Sequence, residues 1–490
     1  MPLRASRNAG GATTSHDDLV NAFADRVRRA PDATLAVALT GRVTVGDLDL
    51  AARQIAVAAN LNALPAGSII GLVAANGPAF LAGFLALRRT QSVVILLDRA
   101  APKPDQARVL EALGAQGVLF CPGDAMACGI GARLERTAPA PRVIDAGDRA
   151  VIKLTSGSTG APRGVAVSTA ALLADETALA SAMEFRADDR LLVTIPMSHS
   201  YGFTTLALSA LVRGLSLVMP ADDSPFAPLA AADRFGATVF PTAPAYLHAL
   251  LQLAQPPAWP ETLRLFISAG ASLPPETAAR FRESSGRSVH VLYGSSECGG
   301  ICYDRAGDAG ERGTVGTPVS GVSITLADAE GGSGSGVLTV RSAAVGETYL
   351  PQPDARLARG RFETADLARW SGDEIVLLGR IDRAINIRGF KVDPSEVESV
   401  IAALPAVREV VVTSAPASHG HGFALEAIVA CAHDALDTAQ VFAWCRARLA
   451  DYKVPRNVIL VDAVPRTPHG KIDQFAIGTL ARRDSDVGDR

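Results

Sequence analysis

From Asp17 to Ser268 short apolar runs alternate with longer stretches of helical period, and this alternation constrains the fold more than any other feature. Helices are expected over Asp17–Arg29, Val45–Leu61 and Ala79–Thr90, with strands over Ser68–Ala74, Ser92–Leu97 and Gly117–Phe120. After Ser168 the rhythm resumes with a helix, a strand at Leu191–Ile195, a helix at Thr204–Val212 and strands at Leu215–Met219 and Thr238–Phe240. A helix at Ala245–Leu253 and a strand at Leu263–Ser268 complete it. Strands that are apolar throughout and separated by helices bury both faces, which predicts an α/β protein with doubly wound parallel sheets.

The pattern changes after Gly313. Short strands at Val322–Leu326 and Gly336–Val340, joined by the turn-rich Gly331–Gly336, predict a small antiparallel β-barrel from about residue 314. The last hundred or so residues read as a compact α+β domain. There Asp393 is a candidate N-cap, Pro394 a first helical residue and Glu396 its capping-box partner, ahead of strands at Glu409–Thr413, Ala424–Cys431 and Val458–Leu460 and a helix at Thr438–Ala450. With 490 residues, more than one domain is required, because single cores stop growing near about 250–300 residues.

Composition excludes several functions. Lys and Arg number 47 against 50 Asp and Glu, so charge gives no case for a nucleic-acid or anionic-membrane partner. The six cysteines, Cys121, Cys128, Cys298, Cys302, Cys431 and Cys445, form no CxxC pair and read as buried or incidental thiols of a reducing, cytoplasmic setting. No apolar signal region is expected near the N-terminus. Leu191–Val212 contains no charged residue, but Pro196, Ser198, His199, Ser200, Tyr201 and Gly202 interrupt it, so a strand, a polar loop and a helix are expected rather than a membrane span.

The chemistry concentrates in Leu154–Val165, whose run Thr155, Ser156, Gly157, Ser158, Thr159, Gly160 carries little side-chain bulk and ends near Arg163. Such a loop surrounds phosphate oxygens with backbone N–H groups and hydroxyls, and Arg163 adds positive charge. It is not a Walker loop, lacking Gly-Lys-[Ser/Thr] at the required spacing. The string closely resembles the phosphate-binding loop of the adenylate-forming superfamily, which includes acyl-CoA synthetases, peptide-synthetase adenylation domains and beetle luciferases. Five further segments resemble parts of that family's pattern.

Tyr293-Gly294-Ser295-Ser296-Glu297 resembles its Tyr-Gly-x-[Thr/Ser]-Glu motif. The resemblance implies that Tyr293 stacks on adenine and that Glu297 holds a Mg2+ bridging the ATP phosphates. Ser268–Ala271, with Gly270 and Ala271, resembles the segment that flanks adenine. Phe362–Asp366 resembles Tyr-x-Thr-Gly-Asp, with Phe and Ala replacing the usual Tyr and Gly, and Asp366 would accept from the ribose hydroxyls. Gly379–Asp382 and Ile387–Gly389 resemble the hinge region, in which Arg380 would reach the nucleotide, Asp382 would pivot and Gly389 would line a thiol tunnel. Asn386 stands where many relatives carry Lys. Pro465–Ile472 resembles the terminal motif, making Lys471 the catalytic lysine at the substrate carboxylate and α-phosphate.

The resemblance implies a large N-terminal domain over 1–380, a hinge at 381–383 and a small mobile domain over 384–490. Catalysis would fall to Lys471, Glu297 and Thr155. The substrates would be ATP with Mg2+, a carboxylic acid, and coenzyme A or a free-standing carrier protein; a homodimer is compatible with this. No fused carrier site is expected after Lys471. An acyl pocket is expected from His199, Tyr201, Gly202, Ala243, Gly299 and Gly300. With no acid in Ser198–Thr205 and no Arg in the pocket segments, amino acids and diacids are disfavoured and a neutral aliphatic or aromatic acid is favoured. The small residues at 243, 299 and 300 suggest a roomy pocket suited to medium or long acyl chains. His199 reads as a gate, a packing residue or a catalytic group. A luciferase-like oxygenase and a non-catalytic nucleotide-binding module are the remoter readings, and no Gly-x-Ser-x-Gly elbow supports a hydrolase.

Overall fold

The computed structural model describes residues 17–123, 126–128, 131–137, 149–155, 162–253, 258–328, 334–381, 385–387, 390–392, 394–416, 423–432, 435–449, 451–466, 472–473, 476–477 and 480. The chain forms two compact units. The first comprises residues 1–99, 103–323 and 340–362; the second comprises 100–102, 324–339 and 363–490.

Two sheets organise the first unit. One has seven strands in the order Thr348–Leu350, Arg163–Ser168, Arg149–Thr155, Val93–Leu96, Ile69–Ala74, Gly117–Cys121 and Arg133–Arg136. Its four central strands are mutually parallel, while the added edges run antiparallel. Ile69–Ala74 and Val93–Leu96 are buried at every residue, which explains their continuous apolar sequence. The intervening helix Pro78–Arg89 is also apolar and almost wholly buried. The second sheet has nine strands, with six mutually parallel neighbours from Val289–Ser295 through Leu265–Ala269, Val239–Thr242, Arg190–Leu192 and Ser216–Val218 to Thr34–Ala38. Both doubly wound sheets expected from the alternation are therefore present.

The helix expected at Thr204–Val212 exists over Phe203–Arg213, but as a π-helix. Gly214 N–H donates to Ser209 O, five residues back, and the Ser209 hydroxyl donates to Thr204 O, also five back. These bonds support the wider turn, a geometry often found beside functional sites.

The expected barrel does not close among the described residues. Strands Ser323–Asp328, Ser335–Arg341, Leu357–Ala358, Arg361–Ser371 and Glu374–Arg380 form an open five-stranded sheet. Leu357–Ala358 and Glu374–Arg380 both pair with Arg361–Ser371, so the sheet branches there instead of returning to its first strand. The turn at 329–333 lies outside the described residues.

In the second unit, Val407–Pro416, Phe423–Cys431 and Asn457–Val461 make a three-stranded sheet. Helices Pro394–Ala402 and Thr438–Arg446 accompany it, and Val397, Ile401, Val412, Leu425, Val429, Val441 and Val458 share its core. Asp437 and Gln440 form a reciprocal capping box on the second helix. The Asp393 cap lies outside the described residues.

Candidate nucleotide and acyl site

Two sequence motifs meet in the first unit because two sheets end at the same place. Strands Arg149–Thr155 and Arg163–Ser168 are antiparallel neighbours with Thr155 opposite Arg163. The expected phosphate loop lies between these two strands; its residues Ser156, Gly157, Ser158, Thr159 and Gly160 lie outside the described set. Tyr293, Gly294 and Ser295 end strand Val289–Ser295 of the other sheet. The Ser296 hydroxyl donates to Leu154 O at 3.1 Å, tying the two motifs together.

Glu297 is fixed through its own backbone. Its N–H donates to Ser295 Oγ at 3.2 Å, and its carbonyl accepts from Gly346 N–H at 2.8 Å. Tyr349 donates from its hydroxyl to Glu297 Oε1 at 3.0 Å. Burial and the neighbouring carboxylate push the Tyr349 phenol well up, so it stays a protonated donor. The Arg163 guanidinium lies 4.1 Å from the centre of the Tyr349 ring and pairs with Asp354 at 3.3 Å. Hydrogen bonds from the Arg356 side chain and backbone, followed by Arg163, hold the Asp354 carboxyl well below its usual range. The result is a chain from Glu297 through Tyr349 and Arg163 to Asp354.

A Mg2+ ion fits this donor set. No cluster of three His, Cys, Asp or Glu side chains occurs among the described residues. Mg2+ characteristically takes one or two carboxylates and completes its octahedron with substrate phosphates and water, and Glu297 supplies one such carboxylate beside the phosphate hairpin.

Behind this front lies a second ionic group that sequence reasoning missed. Lys153 and Asp175 are each 3% exposed, with Nζ and Oδ2 separated by 3.8 Å. Asp175 Oδ1 accepts from Gly300 N–H at 2.9 Å, and Oδ2 accepts from the Thr204 hydroxyl at 2.7 Å. Burial lowers the Lys153 pKa, opposed by Asp175, Cys298 and Glu297. The available signal was a lysine inside the apolar strand run Ala150-Val-Ile-Lys-Leu154, and an Asp-Glu pair inside an Ala/Leu helix. Tyr349, Asp354 and Asp98 carried no comparable signal. Desolvation raises the thiol pKa of Cys298 and Cys302 far above the ordinary range, in keeping with the inert role expected of them.

The expected acyl residues are each anchored by neighbouring elements. Asn76 clamps the loop before the π-helix by donating to Ile195 O and accepting from Met197 N–H. Gly202 is required there, because a Cβ would lie 2.1 Å from Pro196 O. Tyr201 donates to Ile267 O at 3.0 Å, and His199 Nε2 lies 3.1 Å from Asp98 Oδ2. The acid absent from Ser198–Thr205 is therefore supplied from another strand end, where it engages the imidazole. Ala243 caps helix Pro244–Leu251 in extended conformation. The glycines at 299 and 300 do not open a void on their Cβ side: a Cβ at 299 would fall 2.2 Å from Asp175 Oδ1, and one at 300 would fall 2.4 Å from Leu179 Cδ2. On that side the helix Thr169–Ala182 packs against the two glycines.

Gly270 adopts φ +88° after strand Leu265–Ala269, and both Gly270 and Ala271 are exposed. The Ser268 hydroxyl is buried without a hydrogen-bond partner among the described residues. In the second unit, Asp366 sits opposite Arg380 across two antiparallel strands, with Oδ1 and Nη1 at 3.4 Å, so the two expected nucleotide ligands pair with each other. Asp382, Gly389 and Lys471 lie outside the described residues, and no described helix is long and apolar enough to cross a membrane.

A doubly wound pair of sheets whose ends join a Ser/Thr/Gly phosphate hairpin to a tyrosine–glutamate motif defines an adenylate-forming ligase. The chain belongs to the AMP-binding enzyme family: that family's model matches residues 23–350, and its C-terminal-domain model matches 396–471. The chain is similar to the feruloyl-CoA synthase of Amycolatopsis sp, with 25% identity over 91% of this chain and 96% of that one. It is also similar to the probable CoA ligase CCL9 of Humulus lupulus, with 29% identity over 67% of this chain and 66% of that protein. Among solved structures it resembles the amide bond synthetase McbA from Marinactinospora thermotolerans, with 26% identity, a TM-score of 0.78 and coverage of 94% and 99%.

Proposed function

We propose that the protein is an ATP-dependent carboxylate–thiol ligase: it joins a neutral aliphatic or aromatic acid to AMP with release of pyrophosphate, then passes the acyl group to coenzyme A. The observation that carries this reading is the Glu297 carboxylate, held by Tyr349 and by its own backbone beside the Thr155–Arg163 hairpin. When bound there, Mg2+ would neutralise charge on the phosphates. The protein's own residues position the reactants. Thr155 to Gly160 and Arg163 cradle phosphate, Tyr293 offers its ring to adenine over Gly270, Ala271 and Gly294, and Asp366 with Arg380 binds the ribose. Lys471 brings a compact positive charge to the carboxylate and α-phosphate, where positioned charge supplies most of the catalysis. A turn about Asp382 then withdraws Lys471 and admits the thiol past Gly389.

Pyrophosphate release across a panel of acids, with and without coenzyme A, tests the reading. One neutral acid should stimulate release, and coenzyme A should make it catalytic. Lys471→Ala should abolish adenylate formation yet still convert a supplied acyl-AMP and thiol; equal loss in both steps would overturn that role. Two other acceptors compete with coenzyme A. A phosphopantetheinyl carrier protein would leave release at one turnover with coenzyme A, and the likeness to an amide bond synthetase makes an amine the third arm of the panel.

A further inference from the structure

The Lys153–Asp175 pair has no part in holding nucleotide in the reading above, and its placement bears on the acid. Asp175 projects from helix Thr169–Ala182 to the point where strand Gly299–Tyr303 and the π-helix Phe203–Arg213 come together. Its carboxylate bonds both of those elements, through Gly300 N–H at 2.9 Å and the Thr204 hydroxyl at 2.7 Å. The carboxylate also occupies the space beside Gly299, where φ is +68° and an added Cβ would meet all three carboxylate atoms at 2.2 to 2.5 Å. One step along the strand, Leu179 of the same helix fills the equivalent space beside Gly300. Both carboxylate oxygens are engaged and the side chain is 3% exposed, so Asp175 acts as a wall. Lys153 Nζ, 3.8 Å from Oδ2, supplies the counter-charge that lets a carboxylate remain in so dry a place.

We propose that Asp175, supported by Lys153, closes the acyl pocket between the Gly299–Tyr303 strand and the Thr169–Ala182 helix and makes this a ligase for compact acids. The substrate class is a short aliphatic acid or a single-ring aromatic acid. A long chain would have to pass where the carboxylate and Leu179 already stand. Asp175 is thus a specificity-determining residue, and the small residues at 299 and 300 serve the close approach of the helix. This inference rests on the adenylating function proposed above and on the acyl pocket expected from the sequence.

The test is pyrophosphate release by the full-length chain with a homologous series of linear acids, together with benzoate and its chain-extended relatives. In the wild type, kcat/KM should fall at least about tenfold per step once the tail exceeds the pocket, the usual penalty for a group that does not fit. The double variant Asp175→Ala, Lys153→Met removes both charges and shortens the wall. It should shift the longest accepted acid upward by about two carbons and raise kcat/KM for that acid about tenfold. Leu179→Ala opens the same floor without disturbing the ion pair and should shift the profile in the same direction, so the proposal stays testable if the double variant fails to fold. A wild type that uses long acids as well as short ones overturns it. So does a folded Leu179→Ala or double variant, with its unfolding midpoint retained, that keeps the wild-type length profile. Silence with every acid, in the wild type as in the variants, would instead overturn the ligase reading itself, and this inference with it.

Discussion

Two ionic groups flank the phosphate hairpin, and they differ chiefly in water. In front, Arg163 and Asp354 are about a quarter exposed and share their charge with Arg356 and the ring of Tyr349. Behind, Lys153 and Asp175 are each 3% exposed, and their partners besides each other are a backbone N–H and a hydroxyl. The front pair can exchange its partners for solvent or for phosphate at small cost. The rear pair cannot, because an unpaired charge left in a dry interior is heavily penalised. A ligand-binding cation belongs in the first setting and a fixed architectural element in the second.

The largest effect should come from breaking the rear pair on one side. Asp175→Ala strands the Lys153 ammonium and should cost about 3–5 kcal/mol of stability, read as a lowered unfolding midpoint, while adding Lys153→Met should recover much of it. A single variant as stable as wild type would break the contrast drawn here.

Next in size, Glu297→Gln removes the carboxylate beside the hairpin. Pyrophosphate release should fall about 10²–10³-fold, the range for losing one preorganised electrostatic group, with little change in unfolding midpoint. Removing Mg2+ with a chelator should silence the wild type, and restoring the ion should rescue wild type far better than the variant.

A smaller effect isolates the link between front residues. Tyr349→Phe keeps the ring under Arg163 but deletes the donor to Glu297. A hydrogen bond to a charged group is worth about 1.5–3 kcal/mol of folding stability, so the unfolding midpoint should fall by up to that much, and kcat/KM should fall as well if the bond orients Glu297. Full activity in this variant would show that the backbone alone orients Glu297.

The smallest effect is on the outer aspartate. Asp354 is held below its usual range by Arg356 and then Arg163, so its favourable contribution is complete above about pH 4, the ordinary carboxylate value, and fades as pH falls toward the depressed folded value. Asp354→Asn should lower stability at pH 7 by under about 1 kcal/mol, and the gap from wild type should narrow below about pH 4 in unfolding scans. A gap that widens on acidification would contradict the sign.

Much of the molecule was legible because local sequence carried it. All-apolar runs such as Ile69–Ala74 announce strands buried on both faces, and Pro394 announces a helix start. The Thr155–Gly160 run and Tyr293–Glu297 are contiguous strings, so their resemblance to the family's motifs shows in the sequence. The barrel failed because strand propensity says nothing about which strand pairs with which, and Arg361–Ser371 took two partners on one course instead of closing a ring.

What the sequence determined by itself was the set of elements and the family motifs they carry. The tertiary structure alone decided how far those residues are supported and what limits the acid. Tyr349 reaches Glu297 across 52 positions and Asp175 reaches Gly300 across 125, separations at which no local pattern persists. Likewise, a glycine's missing side chain is the same in every sequence, but whether it leaves a cavity or admits a neighbour depends on the helix that packs against it. At Gly299 and Gly300 the helix came in, because Lys153 made it possible to bury the carboxylate that holds it there.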